Sequence, residues 1–538
     1  MSKGVGSKNR TLVIFILILA IQLCFFLFVA LRPFWIAPKG TVYTGLADDS
    51  IAISLIWQSK NDSVQINAFT TRKETPLTGN LFYLVTGKIA YITGIEPILL
   101  YQMIRIIGGI ALFCASYWFI SLLLPYSSHL VALLFTLLVE TGPLLSDLIS
   151  KPLGSWTPAW TMQTMMMRSF GPPTLVWAQV FALALLCFIL LSIHKPKTIY
   201  IPYIFLLGFL GTITLPSYSV TLAACLFVPW LLYALITKQL QKTLPPILLT
   251  LVIITVTLLL IHTSFANTSV WNMLAKEERS WTPAGTILIS FLQLFLLHLP
   301  PILALILCTP FQWRGWSGST KRTVILMTSW AILPMIFFFL SQSGMFPIGS
   351  QLVRWNISTV PMGILAAVGI TAIEHAIRPL RFRILCITIF LAGLLGASLF
   401  LTYTYTMGII DKQGHTEESV YTKAGVWQSI MALSDAPGGA GVLVLPETGN
   451  ILPAYTPVRA YIGEFDGTSE WTERHAVANK LYSGLVSGDL VLRFLKANSV
   501  SYIFYGPEEK SQTKTNAFYP DILTVVFQNP DVTIYKVR

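Results

Sequence analysis

Residues 11–31 read TLVIFILILAIQLCFFLFVAL, an uninterrupted apolar run that begins just after Lys3, Lys8 and Arg10. In helical form, about 20 apolar residues cross the roughly 30 Å hydrocarbon core of a bilayer. The run is too long for the apolar core of a secretory signal, and no small-residue cleavage site follows it. It therefore predicts an uncleaved first membrane span whose N-terminus lies inside.

The rest of the chain has the composition of a membrane protein. Of its 538 residues, 54% are hydrophobic and only 11% are charged, and the mean hydropathy is +0.67. A transmembrane β-barrel would show weak apolar–polar alternation instead of long apolar runs. The sequence predicts a polytopic α-helical membrane protein with about eleven transmembrane helices. The predicted spans are 11–31, 103–124, 129–145, 173–193, 199–215, 217–236, 245–262, 284–308, 323–341, 357–377 and 384–407.

The net charge of +12 is explained by membrane topology rather than by nucleic-acid binding. Loops predicted to lie inside carry clusters of basic residues, such as Lys195 with Lys197, and Arg378 with Arg381 and Arg383. This positive-inside distribution places the N-terminus in the cytoplasm of a multi-pass protein of the cytoplasmic membrane. An odd number of spans then places the C-terminal tail outside.

The first outer loop, residues 32–102, is long and carries the acidic pair Asp48-Asp49. Within it, residues 46–57 read LADDSIAISLIW, and their apolar positions at i,i+4 spacing predict a short interfacial helix capped by Asp48. Apolar residues also alternate in this run, which leaves a strand open as the alternative. Residues 77–93 predict a second interfacial helix.

The composition changes after about residue 410, where charged and turn residues become more frequent. We therefore predict a transmembrane domain over 1–409, which includes the long outer loop, and a small extracytoplasmic α/β domain over 410–538. Predicted strands are 441–445, 501–505, 522–527 and 532–537, and predicted helices are 472–484 and 488–498.

The acidic pair is the first candidate for catalysis. A carboxylate partly buried near a membrane becomes a stronger base and could accept a proton from an attacking hydroxyl group. Neighbouring residues on a helix point about 100° apart, so we expect one of the two to face the site and favour Asp49 over Asp48. The structural alternative is helix capping. The pair could also hold a divalent metal ion, although no third ligand is evident.

Two arginines on the predicted outer face, Arg168 and Arg354, are candidates for binding a phosphate group. Each lies just before a span and a few residues before a proline, Pro172 or Pro361. The positive-inside rule makes arginines less expected in this position, and a guanidinium group binds phosphate bidentately. Anchoring at the membrane interface is the alternative.

Three further residues could support such a site. Glu140 lies toward the outer end of the third predicted span, and Asp147 follows it. Ionisable groups at membrane depth suggest a function, although a position at the interface would also explain Glu140. Trp156 could stack on a sugar ring, but tryptophans of the interfacial belt need no such role.

Several other kinds of site are excluded by their missing signatures. No P-loop, GxGxxG, HExxH or GxSxG motif occurs in a suitable context, which argues against an ATP-driven transporter or a serine hydrolase. The cysteines form no CxxC pair, so neither a disulfide framework nor a zinc site is indicated. They are Cys24, Cys114, Cys187, Cys225, Cys308 and Cys386, all within apolar runs.

These features together resemble the GT-C superfamily of membrane glycosyltransferases, which includes protein O-mannosyltransferases and lipid A aminoarabinose transferases. The resemblance rests on the acidic pair within Gly45-Leu-Ala-Asp-Asp49, on Arg168 with Pro172, and on Arg354 with Pro361. The tail resembles that of uncharacterised prokaryotic members at 446–450 (PETGN), 452–455 (LPAY), 461–463 (YIG) and 502–507 (YIFYGP).

The resemblance implies inverting transfer of a sugar from a polyprenyl-phosphate donor to a glycan, lipid or protein acceptor at the outer face of the membrane. Asp49 or Asp48 would be the base, and Arg354 and Arg168 would contact the phosphate. A transporter or flippase of lipid-linked sugars is an alternative, but the charges deep in the spans that it predicts are nearly absent. A non-catalytic scaffold, the second alternative, predicts dispensable first-loop acids and a tail that binds a partner by itself.

Overall fold

The computed structural model describes most of the chain in twelve ranges and a few single residues near 16–24, 65, 381–384 and 468. The chain divides into two compact units. The first comprises 1–27, 104–261 and 276–406, and the second comprises 28–103, 262–275 and 407–538. Residues 32–102, predicted to form the first outer loop, and residues 410–538, called the tail below, thus belong to the same unit. The described ranges are 39–44, 47–61, 67–71, 81–138, 173–215, 219–220, 222–265, 316–342, 359–376, 421–463, 470–514, 518–538 and the neighbouring single residues.

Helices predominate in the first unit, whereas the second contains both helices and strands. The helices are α1 (Ala47–Asn61), α2 (Leu81–Thr93), α3 (Pro97–Leu123), α4 (His129–Leu138), α5 (Pro173–His194), α6 (Tyr200–Thr214), α7 (Val228–Ile236), α8 (Leu240–Phe265), α9 (Gly318–Gln342), α10 (Thr359–Ala376), α11 (Ala424–Met431), α12 (Pro446–Gly449), α13 (Leu452–Tyr455), α14 (Trp471–Tyr482), α15 (Gly488–Ala497) and α16 (Pro507–Gln512). The strands are β1 (Thr41–Tyr43), β2 (Tyr421–Lys423), β3 (Gly441–Leu443), β4 (Arg459–Ala460), β5 (Val500–Tyr505), β6 (Leu523–Gln528) and β7 (Thr533–Val537).

Among the described residues, three helices are long and apolar enough to cross a membrane: α3, α5 and the Leu240–Leu260 part of α8. They lie where the sequence predicts spans, and the chain is a helical membrane protein. The count of about eleven spans stays a prediction. Of the predicted spans, 284–308 lies outside the described residues, and 11–31 and 384–407 lie largely outside them.

Small residues allow close helix contacts in the first unit. A Cβ atom at Gly363 of α10 would lie 2.7 Å from the carbonyl oxygen of Ala132 in α4. A Cβ atom at Gly108 of α3 would lie 2.9 Å from Nε1 of Trp177, which donates a hydrogen bond to the carbonyl oxygen of Ile104. Close packing of this kind is a main source of helix association in lipid, where burial of apolar surface supplies little.

The second unit contains a five-stranded sheet in the order β4-β3-β5-β7-β6. Strand β3 is parallel to β4 and β5, and β7 is antiparallel to β5 and β6. Side chains alternate between the two faces, so Leu443 and Leu445 join one apolar cluster while Val442 and Val444 join another. Helices therefore cover both faces of the sheet, as the buried parallel strands require.

A second, two-stranded sheet joins the first outer loop to the tail. Strands β1 and β2 are antiparallel, with Thr41 opposite Lys423 and Tyr43 opposite Tyr421. The rings of Tyr43 and Tyr421 contact each other edge to face, with centroids 5.9 Å apart. Strand β1 leads into α1, so this ladder fixes the chain just before the helix that carries the acidic pair.

Helix α1 packs closely against α2 because α2 has a glycine at the contact. A Cβ atom at Gly87 would contact the Cβ atom of Ser59 and lie 2.7 Å from the carbonyl oxygen of Ile56. The buried face of α2 continues along the helix at Tyr83 and Ala90. A larger residue at position 87 would have to push the two helices apart.

We predict that Gly87→Ala lowers the unfolding free energy by about 1–3 kcal/mol, because the added methyl group overlaps α1. Thermal unfolding in detergent measures the change. The matched control is Gly211→Ala in the interior of α6, where the nearest atom to a Cβ would be Phe181 Cβ at 3.6 Å. That substitution should be neutral or stabilise by up to about 1 kcal/mol, since alanine favours helices. Equal effects of the two substitutions would contradict the close α1–α2 contact.

Candidate functional site

Helix α1 places Asp49 on a buried face. Helical spacing puts Asp49 in line with Ile53 and Ile56, four and seven residues later. The Asp49 side chain is only 4% exposed, and the two isoleucines are each 1% exposed. A carboxylate in such surroundings must be stabilised by hydrogen bonds or opposite charge, because burial penalises its ionised form.

Tyr101 supplies a hydrogen bond to this carboxylate. Its side chain comes from the second turn of α3 and is fully buried. The phenol hydroxyl donates to Oδ1 of Asp49 at 2.6 Å. An O–H donor to an ionised oxygen at this distance forms a strong, charge-assisted hydrogen bond. The contact fixes the orientation of the Asp49 carboxylate relative to α3.

A second tyrosine, Tyr455 of α13, binds the chain just before α1. Its hydroxyl donates to the carbonyl oxygen of Thr44 at 2.9 Å. Burial raises the pKa of Tyr455, and the nearby Tyr43, Asp49 and Glu96 raise it further by charge repulsion. The phenol therefore stays protonated and remains a hydrogen-bond donor. Tyr455 also lies within electrostatic range of Asp49, so both belong to one neighbourhood.

The structure settles the alternatives for the Asp48-Asp49 segment in favour of a helix. Helix α1 begins at Ala47, so Asp48 lies in its first turn rather than at the cap. The single apolar face expected for an interfacial helix is not seen, because all residues of 52–56 are buried. The helix packs against both α2 and α13. Contacts with α13 of the tail thus bury part of a helix that the sequence predicts to lie on the membrane interface.

Only Asp49 among the predicted site residues has a side chain that the structure describes. The backbone of Asp48 belongs to α1, but its side chain lies outside the described part. Within the described ranges, no three His, Cys, Asp or Glu side chains are grouped as metal ligands. The other predicted residues, Arg168, Arg354, Glu140, Asp147 and Trp156, lie outside the described residues.

Sequence reasoning missed both tyrosines. Tyr101 lies near the start of a span, where an aromatic residue is expected for the interfacial belt and signals nothing more. Tyr455 ends the LPAY run, which in sequence carries only part of the family resemblance. The available signal was weak, because a hydrogen bond between residues 52 positions apart leaves no local pattern.

No protein-family model and no curated protein matches this chain. Solved structures do match. The oligosaccharyltransferase AglB of Archaeoglobus fulgidus, in complex with an inhibitory peptide and a dolichol-phosphate, is 11% identical, with a TM-score of 0.51 over 91% of this chain and 69% of that one. The apo form of the A. fulgidus oligosaccharyltransferase gives 0.54 at 10% identity, with the same coverage.

The arabinofuranosyltransferase AftD from Mycobacteria matches 96% of this chain at 11% identity, with a TM-score of 0.54. Both neighbours are GT-C glycosyltransferases of the membrane. The chain has the GT-C fold. It spans only 40% of the length of AftD. The resemblance drawn from the acidic pair and the two arginines is confirmed at the level of the fold.

A second group of acidic residues, which includes Glu508 and Glu509, lies in the tail and accepts hydrogen bonds from main-chain N–H groups of its loops. The carboxylate of Glu509 accepts hydrogen bonds from the N–H groups of Leu445 (2.9 Å) and Gly506 (3.0 Å), which connects the ends of β3 and β5. Glu508 accepts one from the N–H of Glu447 at 3.1 Å. Burial raises the pKa of Glu508 to about 9, and repulsion by Glu509 and Glu447 contributes.

We predict that Glu508→Gln stabilises the protein at high pH. Because the folded state raises the pKa of Glu508, it binds this proton more tightly than the unfolded chain does, and that stability is lost as the pH rises through about 9. The melting temperature of the variant minus that of wild type should increase between about pH 6 and about pH 9.5. The control is Glu473→Gln, an exposed acid of α14, whose difference should stay flat. If the melting-temperature difference between Glu508→Gln and wild type also stays constant with pH, the raised pKa of Glu508 is contradicted.

The Tyr101–Asp49 hydrogen bond predicts energetic coupling between the two residues. Tyr101→Phe should cost about 1–3 kcal/mol of unfolding free energy, since it removes a buried, charge-assisted hydrogen bond. In a double-mutant cycle with Asp49→Ala, the coupling energy should reach at least about 1 kcal/mol. Thermal or denaturant unfolding in detergent measures all four proteins. Additive effects of the two substitutions would show that the hydrogen bond is absent.

Proposed function

We propose that this protein is a glycosyltransferase that moves a sugar from a polyprenyl-phosphate donor to a glycan, lipid or protein acceptor. The observation that carries the proposal is the buried carboxylate of Asp49, which α1 presents in the first outer loop of a GT-C fold and Tyr101 holds in one orientation. An ionisable group at such a position is a candidate for acid–base chemistry.

The fold neighbours support the class of reaction. The archaeal neighbour is an oligosaccharyltransferase solved with a dolichol-phosphate and a peptide, and the mycobacterial neighbour is an arabinofuranosyltransferase. A fold by itself hosts more than one function, so the proposal for this chain rests on its own carboxylate. The lipid-linked donor is proposed from the archaeal complex together with the predicted outer arginines.

In the proposed mechanism, Asp49 acts as the general base. It accepts the proton of an acceptor hydroxyl group or other nucleophile as that group attacks the anomeric carbon of the donor. The new glycosidic bond forms on the side opposite to the departing polyprenyl phosphate, so the configuration at the anomeric carbon inverts. Tyr101 restricts the carboxylate to a single orientation, which reduces the entropy lost on reaching the transition state.

The departing phosphate needs positive charge, for which Arg168 and Arg354 are the proposed contacts. Guanidinium groups bind phosphate bidentately, and stabilisation of developing charge is a large part of catalysis. Glu140, Asp147 and Trp156 are proposed as supporting residues around the substrates. A divalent metal ion held with the help of Asp48 or Asp49 stays part of the proposal as a further source of charge stabilisation.

The proposed setting is the cytoplasmic membrane, with the N-terminus inside and the reaction at the outer face. Residues 1–409 would form the membrane domain with its long outer loop, and residues 410–538 the extracytoplasmic part. The charge distribution of the loops supports this orientation. The exposed side of α2 is apolar at Val85, Ile89 and Ile92, as suits a helix that lies against lipid.

We predict that purified protein in proteoliposomes transfers sugar from at least one labelled polyprenyl-phosphate donor to acceptors in a host membrane extract. Asp49→Asn should lower the rate at least about 100-fold, because an amide cannot accept the proton. Asp48→Asn should have a smaller effect. The matched control is Asp435→Asn, an exposed acid in the tail, which should leave the rate unchanged.

The variants separate the proposal from its rivals. If wild type transfers sugar and both Asp49→Asn and Asp48→Asn keep full activity, the acidic pair has only a structural role in α1. Movement of the lipid-linked sugar across the bilayer without a glycosylated product would instead indicate a flippase. The melting temperature of each variant is measured alongside its transfer rate. A loss of folding is then not mistaken for a loss of catalysis.

A further inference from the structure

The tail contacts the chain on both sides of α1, the helix that carries Asp49. On the N-terminal side, the hydroxyl of Tyr455 donates to the carbonyl oxygen of Thr44, and the hydroxyl oxygens of Thr44 and Thr422 lie 3.1 Å apart. The N–H of Ala424 donates to the carbonyl oxygen of Gly40 at 2.7 Å. Together with the β1–β2 ladder, these contacts bind the six residues 39–44 to the tail.

On the C-terminal side, residues 67–71 bind the end of the tail's parallel sheet. The N–H of Ala460, in β4, donates to the carbonyl oxygen of Ala68 at 2.9 Å. The hydroxyl of Thr468 donates to the carbonyl oxygen of Phe69 at 3.1 Å. The Phe69 side chain is buried and lies so close to Gly463 that a Cβ atom there would be 2.7 Å from its ring.

Helix α1 itself also contacts the tail. Helix α13 packs against α1, and its last residue, Tyr455, is held by the edge-on ring of Trp427 at a centroid distance of 4.7 Å. Because the pKa of Tyr455 is raised by burial, its hydroxyl keeps its proton and its contact with Thr44. Residues within 421–468 therefore contact the segment before α1 (39–44), the segment after it (67–71) and α1 itself.

From this arrangement we infer that the tail is a positioning element for the proposed base rather than a separate binding module, with Tyr455 as its main contact. The inference rests on the proposed function, since it concerns the placement of Asp49. Tyr455 touches main chain, not substrate, in this role. It acts through the backbone before α1, and displacement of a catalytic group by about 1 Å can cost up to about 100-fold in rate.

The first test is Tyr455→Phe in the full-length protein, with transfer measured in proteoliposomes. We expect kcat to fall about fivefold to tenfold, while KM for the lipid donor stays within about twofold, because only the placement of the base changes. The matched control is Tyr519→Phe, which removes a hydroxyl-to-carbonyl hydrogen bond of the same length, 2.9 Å to Leu481, inside the tail. An unchanged kcat for Tyr455→Phe, or an equal loss in the control, would overturn the inference.

The second test replaces the lost contact by a covalent one and does not depend on activity for its first readout. In Thr44→Cys/Thr422→Cys, oxidation should form a disulfide between positions 44 and 422, detected by mass spectrometry of the linked peptides. Thr44→Cys and Thr422→Cys alone, each with the six native cysteines, should give no link between these two peptides. In the Tyr455→Phe background, oxidation of this pair should restore most of kcat, and reduction should remove it again. Failure to cross-link, or cross-linking without recovery, would count against the tail as a positioning element.

The two proposals fail in different ways. If Asp49→Asn remains fully active, the proposed base is wrong, whereas the disulfide still reports how the tail packs on the first loop. If Asp49→Asn is inactive and Tyr455→Phe equals wild type, the base stands and the positioning role is refuted.

Discussion

The hydrogen bond from Tyr101 to Asp49 is the interaction on which the candidate site depends. A carboxylate that is 4% exposed has lost most of its hydration, and that loss has a large free-energy cost unless the protein supplies hydrogen bonds or charge. Tyr101 supplies one such bond at 2.6 Å. Tyr101 belongs to α3, a helix long enough to cross a membrane. The Asp49 carboxylate is therefore hydrogen-bonded to a long helix rather than to a loop.

The two compact units use different interactions, in keeping with their composition. The first relies on apolar helices that approach closely at small residues such as Gly108 and Gly363. The second relies on directional hydrogen bonds between side chains and main-chain atoms, made by Tyr455, Glu509 and the buried Tyr482, whose single hydroxyl proton is shared between the carbonyl oxygens of Leu443 and Phe504 at 2.7 and 2.8 Å. Directional contacts of this kind fix the positions of the loops that they join, because each hydrogen bond constrains both distance and angle.

The periodic features of the structure could be predicted from sequence. Apolar runs gave spans that coincide with α3, α5 and α8, and the apolar strands of the tail coincide with β3, β5, β6 and β7. The turn at Asn529 is also local: its side-chain oxygen accepts hydrogen bonds from the N–H groups of Asp531 and Val532. Each of these features is determined by residues close together in the chain.

The features that sequence could not predict depend on distant residues. Strands β1, β2 and β4 are two or three residues long, and unlike β3, which begins the apolar run 441–445, they were not marked by a strand-like run in the sequence. The union of residues 28–103 with 407–538 in one unit has no local signature. At the candidate site, the acidic pair stands out in sequence because it lies in the long segment between the first two predicted spans. The partner of Asp49 was not, since Tyr101 looks like any aromatic residue at a membrane interface.

The residues that contact the chain just before α1 lie hundreds of positions later in the sequence, which has a consequence for biosynthesis. Thr44 is bonded to Thr422 and Tyr455, which follow it by 378 and 411 residues. A chain made from its N-terminus therefore emerges with α1 long before the residues that complete its surroundings, and contacts of such high sequence separation form late. The contacts that fix the chain just before α1 can therefore form only after residues 422–455 have been synthesised.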